Sequence, residues 1–307
     1  MEKISIIILN FNGTKDTLEC LYSICQLSIV NCQLSVVVVD NGSEDKFKIQ
    51  NSKFKIEELK IIRNDQNLGF SGGNNVGIRY ALKSGADYIL ILNNDTIVDK
   101  NIIRELVKVA DLEERIGIIV PKIYFAKGHE FHKDRYKQDE QGKVIWYAGG
   151  IMDWNNVMGS HRGVDEVDSG QFDKIEPTEF ASGCCMFVKR EVFERVGLLD
   201  TKYFLYYEDS DLSERVKKVG YKIMYAPLAF LWHINAGSAG GSGSKLQDYY
   251  ISRNRLLFGM RYASLKTKLA LIRESISLLA KGRSWQKKGV VDFYLRRFGK
   301  GTYIYDK

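Results

Sequence analysis

Tyr88-Ile-Leu-Ile-Leu-Asn-Asn-Asp-Thr96 decides the fold. An unbroken apolar run with no polar alternation predicts a strand buried on both faces, as in parallel sheets. It stops abruptly at two amides and a carboxylate. Ile4-Ser-Ile-Ile-Ile-Leu9, Ser35-Val-Val-Val-Val39 and Leu59-Lys-Ile-Ile62 are runs of the same kind. Helical patterns lie between them. Leu18, Leu21, Tyr22 and Cys25 recur at helical spacing behind Thr14, which is placed to cap that helix. Gly72 to Lys83 carries Val76, Ile78, Tyr80 and Leu82. Strand–helix repetition predicts an α/β fold, a mostly parallel sheet flanked by helices. Ligands of such sheets bind outside the carboxyl ends of the strands. Polar residues gather at those ends here: Asn10 and Asn12, Asp40 and Asn41, and Asn93 to Asp95.

Beyond this first half, of about 120 residues, the pattern changes. Residues 128–176 are polar and irregular, with strand-like fragments such as Val144-Ile-Trp-Tyr147, and are expected to be an insertion. An apolar run returns at Phe180 to Val188, a helix is expected from Arg190, and another from about Ser210 to Val219. Tyr221 to Tyr225 has the pattern of an edge or returning strand. Gly237 to Ser244 is a glycine–serine loop, expected to be mobile and, directly behind Trp232-His233, to serve a site. From Tyr249 onward the chain is helical and basic. The expected division is therefore residues 1–244, with halves meeting near 120, and a helical region 245–307.

Composition narrows the class. Of 307 residues, 45% are apolar and 27% charged, which excludes collagen-like and wholly disordered chains. Five cysteines with no CxxC pair argue against a disulfide framework or a four-cysteine zinc site, and Cys184-Cys185 reads as buried free thiol. The opening Met1-Glu-Lys-Ile-Ser5 enters a strand without signal-peptide architecture, and no apolar stretch reaches the ~20 residues that span a bilayer. A cytoplasmic location is expected. The net charge of +7 divides into −4 over residues 1–244 and +11 over 245–307. No nucleic-acid motif accompanies that charge, so an anionic membrane surface is the expected partner of the tail.

The candidate chemistry sits at the strand ends. A carboxylate at Asp40 can accept from a base N–H or a ribose hydroxyl, although Asp40-Asn-Gly-Ser43 is equally an ordinary turn. Asn67-Leu-Gly-Phe-Ser-Gly-Gly-Asn-Asn-Val-Gly77 is glycine-rich but follows the third strand, unlike a dinucleotide fingerprint. Its glycines either pack against the sheet or let a nucleotide approach the backbone. Asp95 can place an oxygen on a divalent cation, or cap the helix before Ile102. Tyr206-Tyr-Glu-Asp-Ser-Asp-Leu212 puts three carboxylates at a helix start, more than capping needs, and one is a candidate general base. His233 is of interest as a ligand only beside a metal.

Taken in order, Ser5 to Asn12, Val39 to Ser43, Asn67 to Gly77, Leu90 to Asp95, and Phe180 to Phe187 leading to Tyr207-Glu-Asp209 resemble the family 2 glycosyltransferases of GT-A fold, most of all rhamnosyltransferase-type members. The resemblance runs from Ile4 to about Arg255. It implies that Asp40 contacts the nucleobase or ribose, with Asn10 and Asn12 on the loop beside it. It implies that Asn67, Gly69 and Asn74 close over the nucleotide. Asn93-Asn94-Asp95 matches the DXD metal motif with Asn93 in place of the first acid, and His233 matches a position that completes the metal site. Glu208-Asp209 matches the ED motif, with Asp209 as catalytic base, and Arg253 of the Arg253-Asn254 pair is expected to reach a phosphate.

The implied reaction is inverting transfer of a sugar from a nucleoside diphosphate donor, assisted by Mg²⁺ or Mn²⁺. The donor is dTDP-rhamnose or, second, a UDP-sugar. The acceptor is a growing surface glycan or lipid-linked glycan. A nucleotidyltransferase and a non-catalytic, membrane-attached glycan-assembly subunit are the alternatives. In the tail, Leu265, Leu269, Ile272, Ile276 and Leu279 recur every three to four residues with Lys266, Lys268, Arg273 and Lys281 among them. This predicts either a helix packing its stripe on the body or peripheral, salt-sensitive attachment to the inner face of the membrane without insertion.

Overall fold

The computed structural model describes residues 1–28, 32–44, 54, 56–234 and 243–304. The expected mobile loop at Gly237 to Ser244 lies, as far as residue 242, outside them. The four expected strands are present as β1 (Glu2–Asn10), β2 (Cys32–Asp40), β3 (Glu58–Arg63) and β4 (Tyr88–Asn93). They pair in parallel in the spatial order β4-β1-β2-β3, with Asn10 opposite Asp40 and Leu9 opposite Asn93. The order reverses at β1, so a crevice opens between the ends of β1 and β4, where such sheets take ligands.

The sheet continues beyond β4 with β5 (Thr96–Val98), β6 (Ile116–Phe125), β7 (Ile145–Tyr147), β10 (Glu176–Pro177), β11 (Cys185–Lys189) and β12 (Lys222–His233). β11 lies antiparallel between β4 and β6, and β12 runs parallel to β6 with β10 at the edge. β6 has no counterpart among the expected strands, because Pro121 interrupts its apolar pattern. β12 is no short edge strand. It runs twelve residues through a register shift around Pro227, which cannot donate to the ladder, and delivers His233 to the crevice end.

The polar segment 128–176 holds a hairpin of β8 (Gly150–Asp153) and β9 (Met158–His161). Its return is fixed by Lys122, which is buried and donates to Asp168 and Asp173 at 2.7 Å each. A buried ammonium is tolerable only when paired in this way.

The helices are α1 (Thr14–Ile24), α2 (Gly69–Lys83), α3 (Ile102–Ala110), α4 (Arg190–Val196), α5 (Glu208–Lys218), α6 (Lys245–Tyr262), α7 (Leu265–Lys281) and α8 (Ser284–Tyr294). Thr14 does not cap α1. The Asn10 carboxamide oxygen does that work, accepting from the Gly13 N–H and the Thr17 hydroxyl at 3.1 Å each. α2 lies close on β1 because a Cβ at Gly73 or Gly77 would come within 2.4 Å of Leu9 or Ile7. These two glycines therefore serve helix–sheet packing. Leu256, Phe258, Leu271 and Val290 from the C-terminal helices join the same core as the sheet.

Candidate active site

Asp40 ends β2 and is buried. One oxygen accepts from the Arg63 guanidinium at 2.6 Å, the other from the Ser43 N–H at 3.2 Å. Arg63, which the sequence did not single out, is half-exposed and braces the Asp40–Ser43 turn through the Ser43 carbonyl. Asn10 is fully buried with both ends of its amide engaged, so it orders the turn. Asn12 has a left-handed backbone (φ 55°) and accepts from the Glu44 N–H. Asn41 is the hub of the neighbouring loop. It donates to Asn67 and to the Gly69 carbonyl and accepts from Asn64 and Leu68.

The start of α2 leans on the turn that precedes α5. Gly69 has φ +76°, and a Cβ there would meet the Phe204 carbonyl and ring at 2.5 Å. The Ser71 N–H donates to that same carbonyl. Asn74 is expected from the resemblance to close over the nucleotide. It is buried in the helix and donates to the Phe70 carbonyl, its oxygen left without a partner.

After β4 the chain presents Asn93, Asn94 and Asp95 in turn. Asn94 donates to the Gly13 carbonyl and the Thr17 hydroxyl, so it ties α1 to the sheet. Asp95 is not a helix cap. Thr96 enters β5, and the turn before α3 is closed by Asp99 instead. The Asp95 carboxylate meets His233 Nε2 at 3.2 Å, both side chains buried, and His233 Nδ1 has no partner among the described residues. Trp146 from β7 stands edge-on to the His233 ring at 4.8 Å and to His161 at 4.3 Å. Burial, first, and the nearby His233 push His161 down to about 4. Trp146 and His161 carried no periodic signal that marks them as neighbours of His233.

Asp209 stands in the first turn of α5 and is partly exposed. It accepts from the Gly183 N–H at 3.0 Å and the Ser210 N–H at 2.6 Å. The residue after Gly183, Cys184, offers its carbonyl to the Asn93 N–H at 2.9 Å. The lead into β11 thus joins Asp209 to the Asn93–Asp95 corner. Burial raises the Asp209 carboxyl, while the Gly183 and Ser210 N–H groups pull it back. Glu208 is different: it is buried, one carboxyl oxygen has no partner among the described residues, and burial plus the Asp209 charge hold it well above the usual carboxylate range. Burial and the neighbouring carboxylate both act against its ionisation.

Three residues before α5 are left-handed without being glycine: Phe204 (φ 66°), Tyr206 (φ 68°) and Tyr207 (φ 72°). Each such residue costs about 1–3 kcal/mol. The pair Arg253-Asn254 on α6 holds this turn. Asn254 donates to the carbonyls of Tyr203, Leu205 and Tyr206 at 2.8–2.9 Å. Arg253 donates to those of Tyr203 and Gly299 at 2.9 and 2.7 Å. Both side chains are fully buried. The phosphate-reaching role expected of Arg253 is corrected here, because a guanidinium sealed under carbonyls has nothing left to offer a ligand.

A mixed sheet with a parallel nucleotide-type half, continued by antiparallel and parallel strands on its other side, is the GT-A fold of glycosyltransferases. The sequence profile of Glycosyl transferase family 2 matches residues 5–197, and the chain belongs to that family. It is 28% identical over 258 residues to the low-salt glycan biosynthesis hexosyltransferase Agl10 of Haloferax volcanii, covering 84% of this chain and 75% of that one. It is 26% identical over 220 residues to an N-acetylglucosaminyl-diphospho-decaprenol L-rhamnosyltransferase of Mycobacterium tuberculosis (67% and 68% covered). With the dTDP-rhamnosyl transferase RfbF of Shigella flexneri, identity is 27% over 222 residues (72% and 65%). Among solved structures, GalNAc-T7 with UDP, GalNAc and Mn²⁺ superposes with a TM-score of 0.62 at 15% identity, over 96% of this chain and 58% of that one. That likeness concerns the fold.

Proposed function

We propose that the protein transfers rhamnose from dTDP-rhamnose, with a UDP-sugar as the second candidate donor, to a hydroxyl of a growing cell-surface glycan carried on a lipid. The observation that carries this reading is Asp209: a partly exposed carboxylate with a raised pKa, fixed by Gly183 beside the Asn93–Asp95 corner. Names of relatives that handle rhamnose support the sugar. Asp209 takes the proton from the acceptor hydroxyl as its oxygen bonds to the anomeric carbon. The bond from that carbon to the diphosphate breaks on the opposite face, so configuration inverts. A positioned base of this kind contributes ~10²–10⁴-fold.

Asp40, braced by Arg63, would take the nucleoside, and Asn67 and Gly69 would shape the loop over it. Asp95 and His233 would hold a divalent cation between one carboxylate oxygen and the imidazole Nε2, which lie 3.2 Å apart. The imidazole favours Mn²⁺ over the oxygen-demanding Mg²⁺. When bound, the cation would offset charge building on the leaving diphosphate. Asn93, whose side chain makes no hydrogen bond among the described residues, is placed to add a neutral carbonyl. The test is a panel of sugar nucleotides with Mn²⁺. Release of nucleoside diphosphate, fastest from dTDP-rhamnose, supports the proposal. Release of pyrophosphate would make the protein a nucleotidyltransferase, and no release across the panel would leave a non-catalytic subunit.

A further inference from the structure

The apolar stripe of α7 does not pack on the body. The helix turns Thr267, Leu271 and Ser275 inward, while Leu265, Leu269 and Ile276 are 74%, 55% and 61% exposed and Ile272 and Leu279 more than a third exposed. At 100° per residue the inward face and the stripe lie more than a quarter-turn apart. α8 packs beside α7: the Ser275 and Tyr294 hydroxyls meet at 2.6 Å, and Val291, Tyr294 and Leu295 are exposed as well. Charge frames the α7 stripe on both sides. By helical spacing Lys266 and Arg273 flank the stripe on one side and Lys268 on the other. The only acid on α7, Glu274, is turned toward α6 and paired with Arg255 at 2.6 Å.

We propose that this two-helix face docks the protein on an anionic bilayer, with the α7 stripe lying in the headgroup–acyl boundary and the flanking cations among the lipid phosphates. An exposed apolar stripe between basic flanks is the profile of an interfacial helix. Among the described residues no helix is long and apolar enough to cross a membrane, so the attachment is shallow. A second copy of the chain is a poorer occupant. A twofold interface sets the same patch against itself, and with both flanks basic every such arrangement brings like charges together. A purely electrostatic contact would leave the stripe in water, so the proposed contact includes the stripe. The inference rests on the lipid-linked acceptor proposed above only for its purpose, not for its physics.

Truncation is a poor test, since Val290 belongs to the core and Gly299 receives Arg253. Point variants on exposed positions serve better. The full chain is floated with phosphatidylcholine vesicles, with and without phosphatidylglycerol, at low and high salt. Binding is expected only with phosphatidylglycerol, and Leu269→Glu/Ile276→Glu should lower it about tenfold or more at unchanged thermal stability. In Ile276→Trp, indole emission should shift to the blue on vesicle binding and be quenched by brominated acyl chains. Failure of the intact chain to bind anionic vesicles at low salt would overturn the proposal. So would binding with no emission shift. A change in oligomeric state on Leu269→Glu/Ile276→Glu would instead make the face a self-interface and equally refute it. These readouts need neither donor nor acceptor, so their failure leaves the sugar-nucleotide panel untouched, and the reverse.

Discussion

Replacing Asn254 with alanine should loosen the catalytic corner without touching it. The Asn254 amide serves three carbonyls of the turn before α5. Tyr203 keeps a second donor in Arg253, so Asn254→Ala orphans the carbonyls of Leu205 and Tyr206. Each orphaned acceptor costs about 1–3 kcal/mol if the turn stays in place. The turn has an alternative. Phe204, Tyr206 and Tyr207 relieve left-handed strain of similar size by letting go. The cheaper route sets the cost, so a destabilisation of about 3 kcal/mol is expected, within the ~5–15 kcal/mol of an ordinary fold. The variant remains folded, but the first turn of α5 shifts and carries Asp209 with it. Misplacement by about an ångström costs on the order of 10²-fold in turnover. Urea unfolding followed by tryptophan emission gives the first quantity, and kcat against donor KM the second. Unchanged turnover with a loss under about 1 kcal/mol would show that the turn holds itself and that Asn254 is no clamp.

Two other expectations concern ionisation and metal. Glu208 has a folded pKa raised above its unfolded value, so its stabilising contribution is full below about 4.5 and is lost as pH rises through the folded pKa. Glu208→Gln should therefore gain stability over the parent as pH rises and match it in acid, measured by melting temperature across pH; a constant difference would contradict a buried, titrating Glu208. Asp95→Ala should weaken calorimetric binding of the nucleoside diphosphate with Mn²⁺ far more than that of the nucleoside, and EDTA should sharply reduce turnover. Equal losses for both ligands would make Asp95 a structural partner of His233 only.

The nucleotide half was legible because its signals are local. Buried parallel strands read as continuous apolar runs, and all four of β1 to β4 fell where those runs stand. The second half is built on non-local pairing. β6 and β12 contain Pro121 and Pro227, which break the pattern that a single-sequence reading relies on, and only their neighbours in the sheet make them strands. The short β5 reads as a helix lead-in until β12 is there to pair with it.

The same division holds at the crevice. Asp40, Asp95, Asp209 and His233 stood out as reactive groups at element ends. Their supports did not, because a support is defined by what it touches. Arg63 on Asp40, Gly183 on Asp209 and Trp146 on His233 are each far away in sequence. Arg253 was drawn toward the ligand by the resemblance, yet the structure spends its guanidinium on backbone carbonyls.

The most direct measurement is turnover of Asp209→Asn with dTDP-rhamnose and a glycan acceptor. Asparagine keeps the size of the side chain but cannot accept the acceptor's proton. Turnover should fall by ~10²-fold or more while donor affinity is largely kept. Near-normal turnover would contradict the assignment of Asp209 as the base, and with it the proposed displacement.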